Sequence, residues 1–293
     1  MSAQPAPIPP ANAASRAKDK GFKALLLVCL ALAILMLGVL LWDVIRDGTS
    51  KLTVDLFTAF PSFNPAKAGL QSAFWGTIWL MAVVAVFVIP VGVATAIYLE
   101  EYADAGRWWN RLIEVNIQNL AAVPSIVYGI LGLAFLVRGP LSLGRTILVG
   151  GLTLGLLVLP VVVITGREAI RAVPPSIREG SMALGATKWQ TIWKQVLPGS
   201  IPGIATGVIL ALSRAIGETA PLILIGAATF VAFNPSGLDS AFTALPLQIF
   251  NWISQPQEEF KLLAAGGILV LLGLLLAMNA VAIWLRNRYE QKW

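Results

Sequence analysis

Residues 167–198 read REAIRAVPPSIREGSMALGATKWQTIWKQVLP, a polar stretch between two apolar runs of membrane length. It holds too many charged and polar side chains to sit in lipid, yet its helix signals are too regular for a slack loop. Pro174 and Pro175 interrupt the preceding run, and Gly185 follows ten residues later. The stretch therefore predicts two short helices joined at a glycine, on the aqueous side of a membrane protein.

Capping signals set the bounds of these two predicted helices. Ser176 with Glu179 matches a capping box that opens the first helix, and Gly185 is typical of a helix end. Thr187 with Gln190 matches a second capping box, and a closing proline, Pro198, is expected to end the second helix. The apolar residues of the second helix form one stripe: Trp189, Ile192, Trp193 and Val196.

The same stretch resembles the Glu-Ala-Ala coupling loop of the permease subunits of bacterial ABC importers. It keeps the spacing of Glu179, Gly185 and the final Leu-Pro. It differs where Gly180 and Ser181 replace alanines and where Gln195 replaces an isoleucine. With SRAIGETAPL at 213–222, it is similar to the phosphate-specific permeases, and the Thr-Ala-Pro-Leu ending favours their A-type subunit.

This resemblance covers nearly the whole chain after residue 70 and implies the type I ABC importer permease fold, all-α with a cytoplasmic pair of coupling helices. It implies assembly with a homologous C-type permease, a dimer of a cytoplasmic ATPase and an extracytoplasmic phosphate-binding protein. The residues expected at the ATPase contact are Glu179, Ala183, Gly185, Trp189 and Trp193.

The composition also places the chain in a membrane. Hydrophobic residues make up 57% of the 293 residues and charged residues 12%, with a mean hydropathy of +0.78, which excludes a soluble domain. Six runs reach the roughly 20 residues needed to cross a bilayer: 24–42, 71–99, 115–137, 146–166, 201–229 and 262–285. We expect a disordered cytoplasmic tail at 1–20, the first transmembrane helix and outer loop at 21–70, and the permease domain at 71–293.

Basic residues predict the orientation of the chain. With the N-terminus inside, the inner segments hold fourteen lysines and arginines and the outer segments hold six. The positive-inside rule thus places both termini and the 167–198 stretch in the cytoplasm, with the protein in the cell membrane. The net charge of +6 follows from this topology and needs no nucleic-acid partner. The first run is too long for a typical signal peptide and lacks a cleavage site, which favours an uncleaved anchor.

The residue inventory excludes most catalytic chemistry. The chain has no histidine and a single cysteine, Cys29, which removes imidazole catalysis, a histidine or cysteine metal site and an internal disulfide. The sequence GPLSLGRT at 139–146 has the spacing of a phosphate-binding loop but lies between two spans, so we expect an ordinary turn. We expect no catalytic residue, metal or cofactor, and a partner must hydrolyse ATP.

A charged pair lies inside the fifth run. Arg214 falls near the middle of 201–229, the depth at which an arginine costs about 2.5–3.5 kcal/mol to insert. Glu218 follows at i+4, near enough to neutralise it. A structural salt bridge is one interpretation, but an apolar pair would insert more easily, and a guanidinium matches tetrahedral oxyanions. We predict that Arg214, Glu218 and Thr219 lie in the substrate pathway.

Three weaker patterns concern packing and surface. Glycines at every fourth position, at 199, 203, 207 and at 151, 155, predict close helix packing within the chain. Glu100, Glu101 and Asp104 are expected to form a solvated acidic face. Segment 239–261 is apolar with few charges, which leaves open whether it lies at the outer interface or dips inward.

Two other functions fit parts of this pattern. A permease of the same fold for sulfate or molybdate differs only through the 213–222 string. An ion-coupled secondary anion carrier would need internal repeats and broken helices at matching positions in two halves, and the sequence shows no such repeat.

Overall fold

The computed structural model describes residues 13–104, 106–227 and 230–289, and these ranges contain helices and no strand. The α-helices are α1 (Ala13–Gly48), α2 (Val54–Thr58), α3 (Gln71–Ile97), α4 (Trp108–Ala122), α5 (Ser125–Leu131), α6 (Ile147–Arg171), α7 (Pro175–Ala183), α8 (Lys188–Thr191), α9 (Leu197–Gly217), α10 (Ala220–Ile225), α11 (Leu245–Ile253) and α12 (Glu258–Tyr289). Short 3-10 turns cover Thr49–Lys51 and Pro65–Lys67, and wider π-type turns cover Tyr98–Tyr102, Gly132–Val137 and Ile192–Val196. The all-α prediction is confirmed.

The first helix, α1, is longer than the apolar run that predicts it. It starts at Ala13, so residues 13–20, expected to belong to a disordered tail, are helical. Residues 1–12 lie outside the described ranges. The apolar stretch of α1 is exposed on all sides, and the helix contacts α12 near its own end, where Gly48 meets Ala265. Such exposure suits a helix surrounded by lipid.

Five helices of the described chain are long and apolar enough to cross a bilayer, and there are six crossings if one bent pair counts as a span. The bent pair is α4 with the segment Ser125–Val137, which meet at 109°. The uninterrupted span predicted at 115–137 is therefore wrong. Proline disfavours helical backbone in the residue before it, and Val123, just before Pro124, is extended with ψ of 130°.

The fifth span differs from its prediction at both ends. One continuous helix covers Lys188–Gly217, because α8 passes into α9 through a π-type turn, so Pro198 does not end the helix. The wider turn before Pro198 gives the proline ring room that a regular α-turn denies. The far end is Gly217 and not residue 229: Pro221 offers no N–H to the Gly217 carbonyl, and Glu218 is extended.

The central helix is α6, which packs between α3 and α9. Glycines permit the close approach, since a Cβ added at each would collide with the facing helix. The pairs are Gly151 with Val83, Gly155 with Phe87, Gly203 with Ala169, and Gly207 with Thr165. The prediction that these glycines pack within the chain is confirmed at these four positions.

The segment left open by the sequence, 239–261, contains α11, most of whose side chains are buried inside the protein. Leu245, Leu247 and Trp252 are at most 1% exposed and pack toward α3 and α12. The backbone N–H of Leu245 donates to Oγ1 of Thr77 on α3 at 2.9 Å. This segment therefore braces the start of α3 and does not lie free at an interface.

Candidate functional site

Helix α6 defines two ends of the bundle and a depth scale between them. We call the loop end the one where α6 stops at Arg171 and α7 follows, and the far end the one where α6 begins at Ile147. Its 25 residues extend about 37 Å at 1.5 Å per residue, somewhat more than the roughly 30 Å hydrocarbon core of a bilayer.

Arg214 and Glu218 are in contact, as their spacing predicts. Nε of Arg214 lies 3.4 Å from Oε1 of Glu218, a long ion pair made through one donor. The Arg214 side chain is 45% exposed and the Glu218 side chain 19%. Because the contact is long and made through a single donor, the guanidinium keeps donors free to face a cavity or a ligand.

The helix packing fixes the depth of this pair. Helices α6 and α9 run antiparallel, with Gly203 against Ala169 and Gly207 against Thr165, so four residues forward on α9 match four residues back on α6. Continuing that register places Arg214 level with Val158, close to the midpoint of α6. The predicted mid-depth thus agrees with the register, although Arg214 lies in the last turn of its own helix, α9.

Two helix breaks lie near this level. Glu114 of α4 accepts a hydrogen bond from Arg167 of α6 at 2.9 Å. Helix α4 ends eight residues later, at Ala122. This end lies level with the middle of α6. Gly129 of α5 lies against Pro221 of α10, so the segments after the two breaks pack together. Non-helical backbone at such depth is tolerated only inside protein or along a water-filled cavity.

Thr219 sits in the second break, next to the charged pair. It is the residue before α10, half-buried, with φ of −106° and ψ of −40°. Its carbonyl accepts from Ile223 at 3.1 Å, while its side chain caps no backbone N–H of the described helix. The three residues predicted for a substrate pathway therefore lie together at one mid-depth break, and their role in transport stays a prediction.

At the loop end, Gly185 adopts the left-handed conformation that its predicted role requires. Its φ is +88°. The N–H of Gly185 donates to the Met182 carbonyl at 2.9 Å, and the N–H of Ala186 donates to the Ser181 carbonyl at 3.2 Å. These are the two bonds of a Schellman motif, in which glycine carries no steric penalty.

One of the two predicted capping boxes forms and the other does not. Thr187 accepts from the Gln190 N–H at 3.3 Å, and the Gln190 side chain accepts from the Thr187 N–H at 2.9 Å, which confirms the second box. The first is wrong because α7 begins at Pro175, so Ser176 already lies within the first turn and caps nothing.

The predicted apolar stripe after Thr187 divides into two faces. Ile192 and Val196 are at most 2% exposed, and Val196 belongs to the cluster around Ile170 that holds the segment on the bundle. Trp189 and Trp193 are 60% and 49% exposed and contact each other edge to face at 5.2 Å. The prediction of a single apolar stripe is therefore wrong. The two tryptophans are left exposed and can contact another surface.

Two exposed apolar residues of α7 and its cap add to this face without having been predicted. Leu184, the residue before Gly185, is 92% exposed, and Met182 is 48% exposed. Glu179 and Ala183 are exposed beside them, and the hydroxyls of Ser181 and Thr191 meet at 2.9 Å to hold α7 against α8. Leu184 follows Ile177 at i+7, but Ile177 packs on the bundle whereas Leu184, just after the end of α7, stays exposed.

The predicted acidic face after α3 is wrong, because its two glutamates are ion-paired. Glu100 bonds Arg171 at 2.9 Å and Arg167 at 3.4 Å. Glu101, whose side chain is only 9% exposed, bonds Arg178 at 2.9 Å. These pairs join α3 to α6 and α7, and Asp104 alone of the three acids remains well exposed.

Arg178 is the anchor of α7. Besides Glu101, its guanidinium donates to the Val173 carbonyl at 2.6 Å and the Ile170 carbonyl at 2.8 Å.

Replacing Arg178 by Met should leave Glu101 buried without a partner and lower the stability of the chain by about 3 kcal/mol, seen as a lower thermal midpoint. Adding Glu101→Leu should restore most of the loss. Arg107→Met, which breaks an exposed pair with Asp104, should change little.

The turn interpretation of 139–146 is supported by its hydrogen bonds. Thr146 caps α6 by accepting from the Val149 N–H, and the N–H groups of Ile147 and Leu148 donate to carbonyls of Ser240 and Leu238. Within the stretch, the N–H groups of Ser142 and Leu143 donate to the Gly139 and Leu136 carbonyls, as in an ordinary turn.

Fold and site together define a polytopic membrane protein with a charged helix break at mid-depth and a pair of short helices with exposed apolar side chains at one end. The chain belongs to the family described as binding-protein-dependent transport system inner membrane component, whose model matches residues 89–293. It is thus a multi-pass transport subunit and not an enzyme.

Curated relatives and solved structures agree with this family. The chain is 36% identical to phosphate transport system permease protein PstA 1 of Mycobacterium tuberculosis, over 74% of this chain and 70% of that protein. It is 34% identical to PstA of Xylella fastidiosa, over 83% of this chain and 84% of that protein. A bacterial alginate ABC transporter in complex with its periplasmic protein shares the fold, with a TM-score of 0.69 and 17% identity over 94% of this chain and 96% of that one.

Proposed function

We propose that the chain is the permease subunit of an ATP-driven phosphate importer and forms half of its translocation pathway. A homologous C-type permease would supply the other half, a cytoplasmic ATPase dimer the energy, and an extracytoplasmic binding protein the phosphate. The observation that carries the proposal is the half-exposed Arg214 at a mid-depth helix break, in a chain whose relatives are named as phosphate permeases.

Arginine suits this substrate for electrostatic and geometric reasons. Phosphate presents several oxygens, and a guanidinium offers planar donors that match two of them at once. Glu218 holds the arginine through a single contact of 3.4 Å, so an arriving anion can replace that contact without unfolding the helix end. The acid also keeps the empty site near neutral, which lowers the cost of an isolated charge at this depth.

The loop end supplies the surface for the ATPase. Trp189, Trp193, Leu184 and the neighbouring Glu179 and Ala183 are exposed together, and buried aromatic anchors often dominate the energy of protein interfaces. The excess of basic residues in the loops on this side supports a cytoplasmic location for this surface and for both termini. On this proposal 71–293 acts as the permease domain and α1 as a peripheral anchor.

Two alternatives remain tied to specific features. Sulfate is also a tetrahedral oxyanion and would fit the same guanidinium, so the substrate rests on the named relatives. A secondary carrier requires broken helices, and two such breaks occur among the described residues. The family of the chain, however, is one of binding-protein-dependent transport systems.

The proposal is tested by purifying the subunit with its native partners and reconstituting the complex in liposomes. Phosphate-loaded binding protein should stimulate ATP hydrolysis and drive phosphate accumulation, whereas sulfate should compete poorly. Stimulation by sulfate and not by phosphate would replace the substrate within the same mechanism. Anion uptake that needs an ion gradient and no ATP would overturn the importer assignment.

The tryptophan pair gives a test of the ATPase contact. Trp189→Ala with Trp193→Ala should release the ATPase during detergent purification, because removal of two interface aromatics costs roughly 2 kcal/mol or more each. The ATPase-to-permease ratio on a gel measures this. Trp108→Ala with Trp109→Ala removes another exposed edge-to-face pair and should leave the ratio unchanged. A full ATPase complement in the first double variant would contradict the contact.

A further inference from the structure

Arg145 is a second cation that lies against the helix following the charged break. It precedes Thr146, the cap of α6, and so belongs to the far end of the bundle. Its side chain reaches the residue that ends α10, Gly226: a Cβ added there would lie 2.6 Å from Nε and 3.0 Å from Cζ of Arg145. Gly226 has φ of +78°, which favours glycine, and the lack of a side chain lets the guanidinium pack directly against it.

The guanidinium of Arg145 makes no hydrogen bond to the helix end that it touches. Arg145 is exposed, and within residues 13–104, 106–227 and 230–289 it has no ion pair or hydrogen bond. The Leu222 and Ile223 carbonyls of α10 already accept from Ala227 and Gly226, each at 3.0 Å. Among the described residues, the positive charge of Arg145 therefore packs against Gly226 and its donors are not used in a hydrogen bond.

One accessible face of α10 connects Arg145 to the mid-depth site. Thr219, Ile223 and Gly226 follow each other at i, i+4 and i+7 and are all half-buried or exposed, so they form a single stripe. Arg214 and Glu218 stand at the start of this stripe and Arg145 at its end. The stripe is about 10 Å long at 1.5 Å per residue, close to the screening length of about 8 Å at physiological salt.

We propose that Arg145 is a second oxyanion-binding site, at the far end of α10, which receives a tetrahedral oxyanion such as phosphate before Arg214 does. The inference rests on the proposed import function and adds a binding residue to it. Two weak cationic sites about one screening length apart attract the anion from outside and still let it leave each site, as conduction through several sites requires. Arg145 is exposed, so its charge carries little of the insertion cost that Arg214 carries.

The single cysteine of the chain makes a site-specific test possible. In a complex whose permease carries Cys29→Ser, the change Arg145→Cys should reduce phosphate import by roughly tenfold, the size of one charge-assisted hydrogen bond. Modification with a thiosulfonate bearing a trimethylammonium group should restore much of the rate, and a sulfonate-bearing reagent should reduce it further. The ATPase-to-permease ratio on a gel should stay unchanged in all three states.

Arg138→Cys is the matched control, since Arg138 is also an exposed arginine at this loop, whereas the atoms nearest to a Cβ at Gly226 belong to Arg145. It should import normally with either reagent. Inorganic phosphate should slow modification at position 145 and not at 138, an effect that a purely structural helix cap would not produce.

Three outcomes would overturn the inference. These are normal import with Arg145→Cys, equal responses at 138 and 145, or an absence of phosphate protection at 145 while the parent complex imports phosphate. If the Cys29→Ser parent itself transports no phosphate but carries another oxyanion, the proposed substrate fails, and the same labelling with that anion tests Arg145 separately.

Discussion

Arg214→Gln should abolish phosphate import, to background in reconstituted liposomes, while the complex still assembles with its ATPase. Glutamine keeps similar length and inserts more easily than a charge at mid-depth, so folding should not suffer. What is lost is the cation at the helix break, held by Glu218 at 3.4 Å when the site is empty. Arg214→Lys should recover only part of the rate, since an ammonium cannot reproduce the two-donor geometry of a guanidinium.

A double variant separates a pathway role from a structural one. With Arg214→Leu and Glu218→Leu together no charge is left unpaired, and a structural pair should then be dispensable. We expect normal assembly and no import. Arg286→Gln serves as the matched control, because Arg286 bonds Thr206 of the same helix, α9, nearer the loop end. Near-normal import by the double variant would show that the pair only helps the helix to insert.

Gly185→Pro should uncouple the ATPase from transport and leave the subunit inserted. Proline fixes φ near −65°, whereas Gly185 has φ of +88° and donates its N–H to Met182, so the second helix would leave the turn in another direction. No atom lies within 4 Å of a Cβ at this position, so a steric clash of an added Cβ cannot explain the effect. We expect stimulated ATP hydrolysis and import to fall together to near background.

The glycine pair 180 and 185 provides the control for this prediction. A Cβ added at either position would meet open space, and only Gly185 has positive φ. Gly185→Ala should lower coupling partially, by an amount set by roughly 1 kcal/mol of backbone strain. Gly180→Ala, in the interior of α7, should be neutral or stabilising. Equal behaviour of the two alanine variants would mean that the turn geometry does not control coupling.

Features set by neighbouring residues could be predicted from the sequence. The turn at Gly185, the Thr187–Gln190 capping box and the contact of Arg214 with Glu218 each involve groups within one or two helical turns, where spacing alone brings the atoms together. The same holds for the glycines spaced at four, because any helix that carries them presents one narrow face.

Features that depend on distant parts of the chain could not be predicted in this way. Glu100 and Glu101 pair with arginines 67 to 77 residues away, so their local sequence indicated only solvent. Pro198 looked like a stop, but the π-type turn that accommodates it lies in a segment packed on α6 and α3. The break at Val123 was missed because one proline hardly changes the mean hydropathy of an apolar run.

The break at Glu218 separates two helical segments that are attached to different parts of the protein. On one side, a single helix carries both the tryptophan surface at its start and Arg214 in its last turn. On the other side, Thr219 leads into α10, which is packed on α5 through Gly129 and held by Arg145. A displacement of the loop end of this helix must therefore change the distance between Arg214 and α10 across the break. Movement of the ATPase would then make and break the contacts that bind the anion. No separate gate between the ATPase contact and the anion site would be needed.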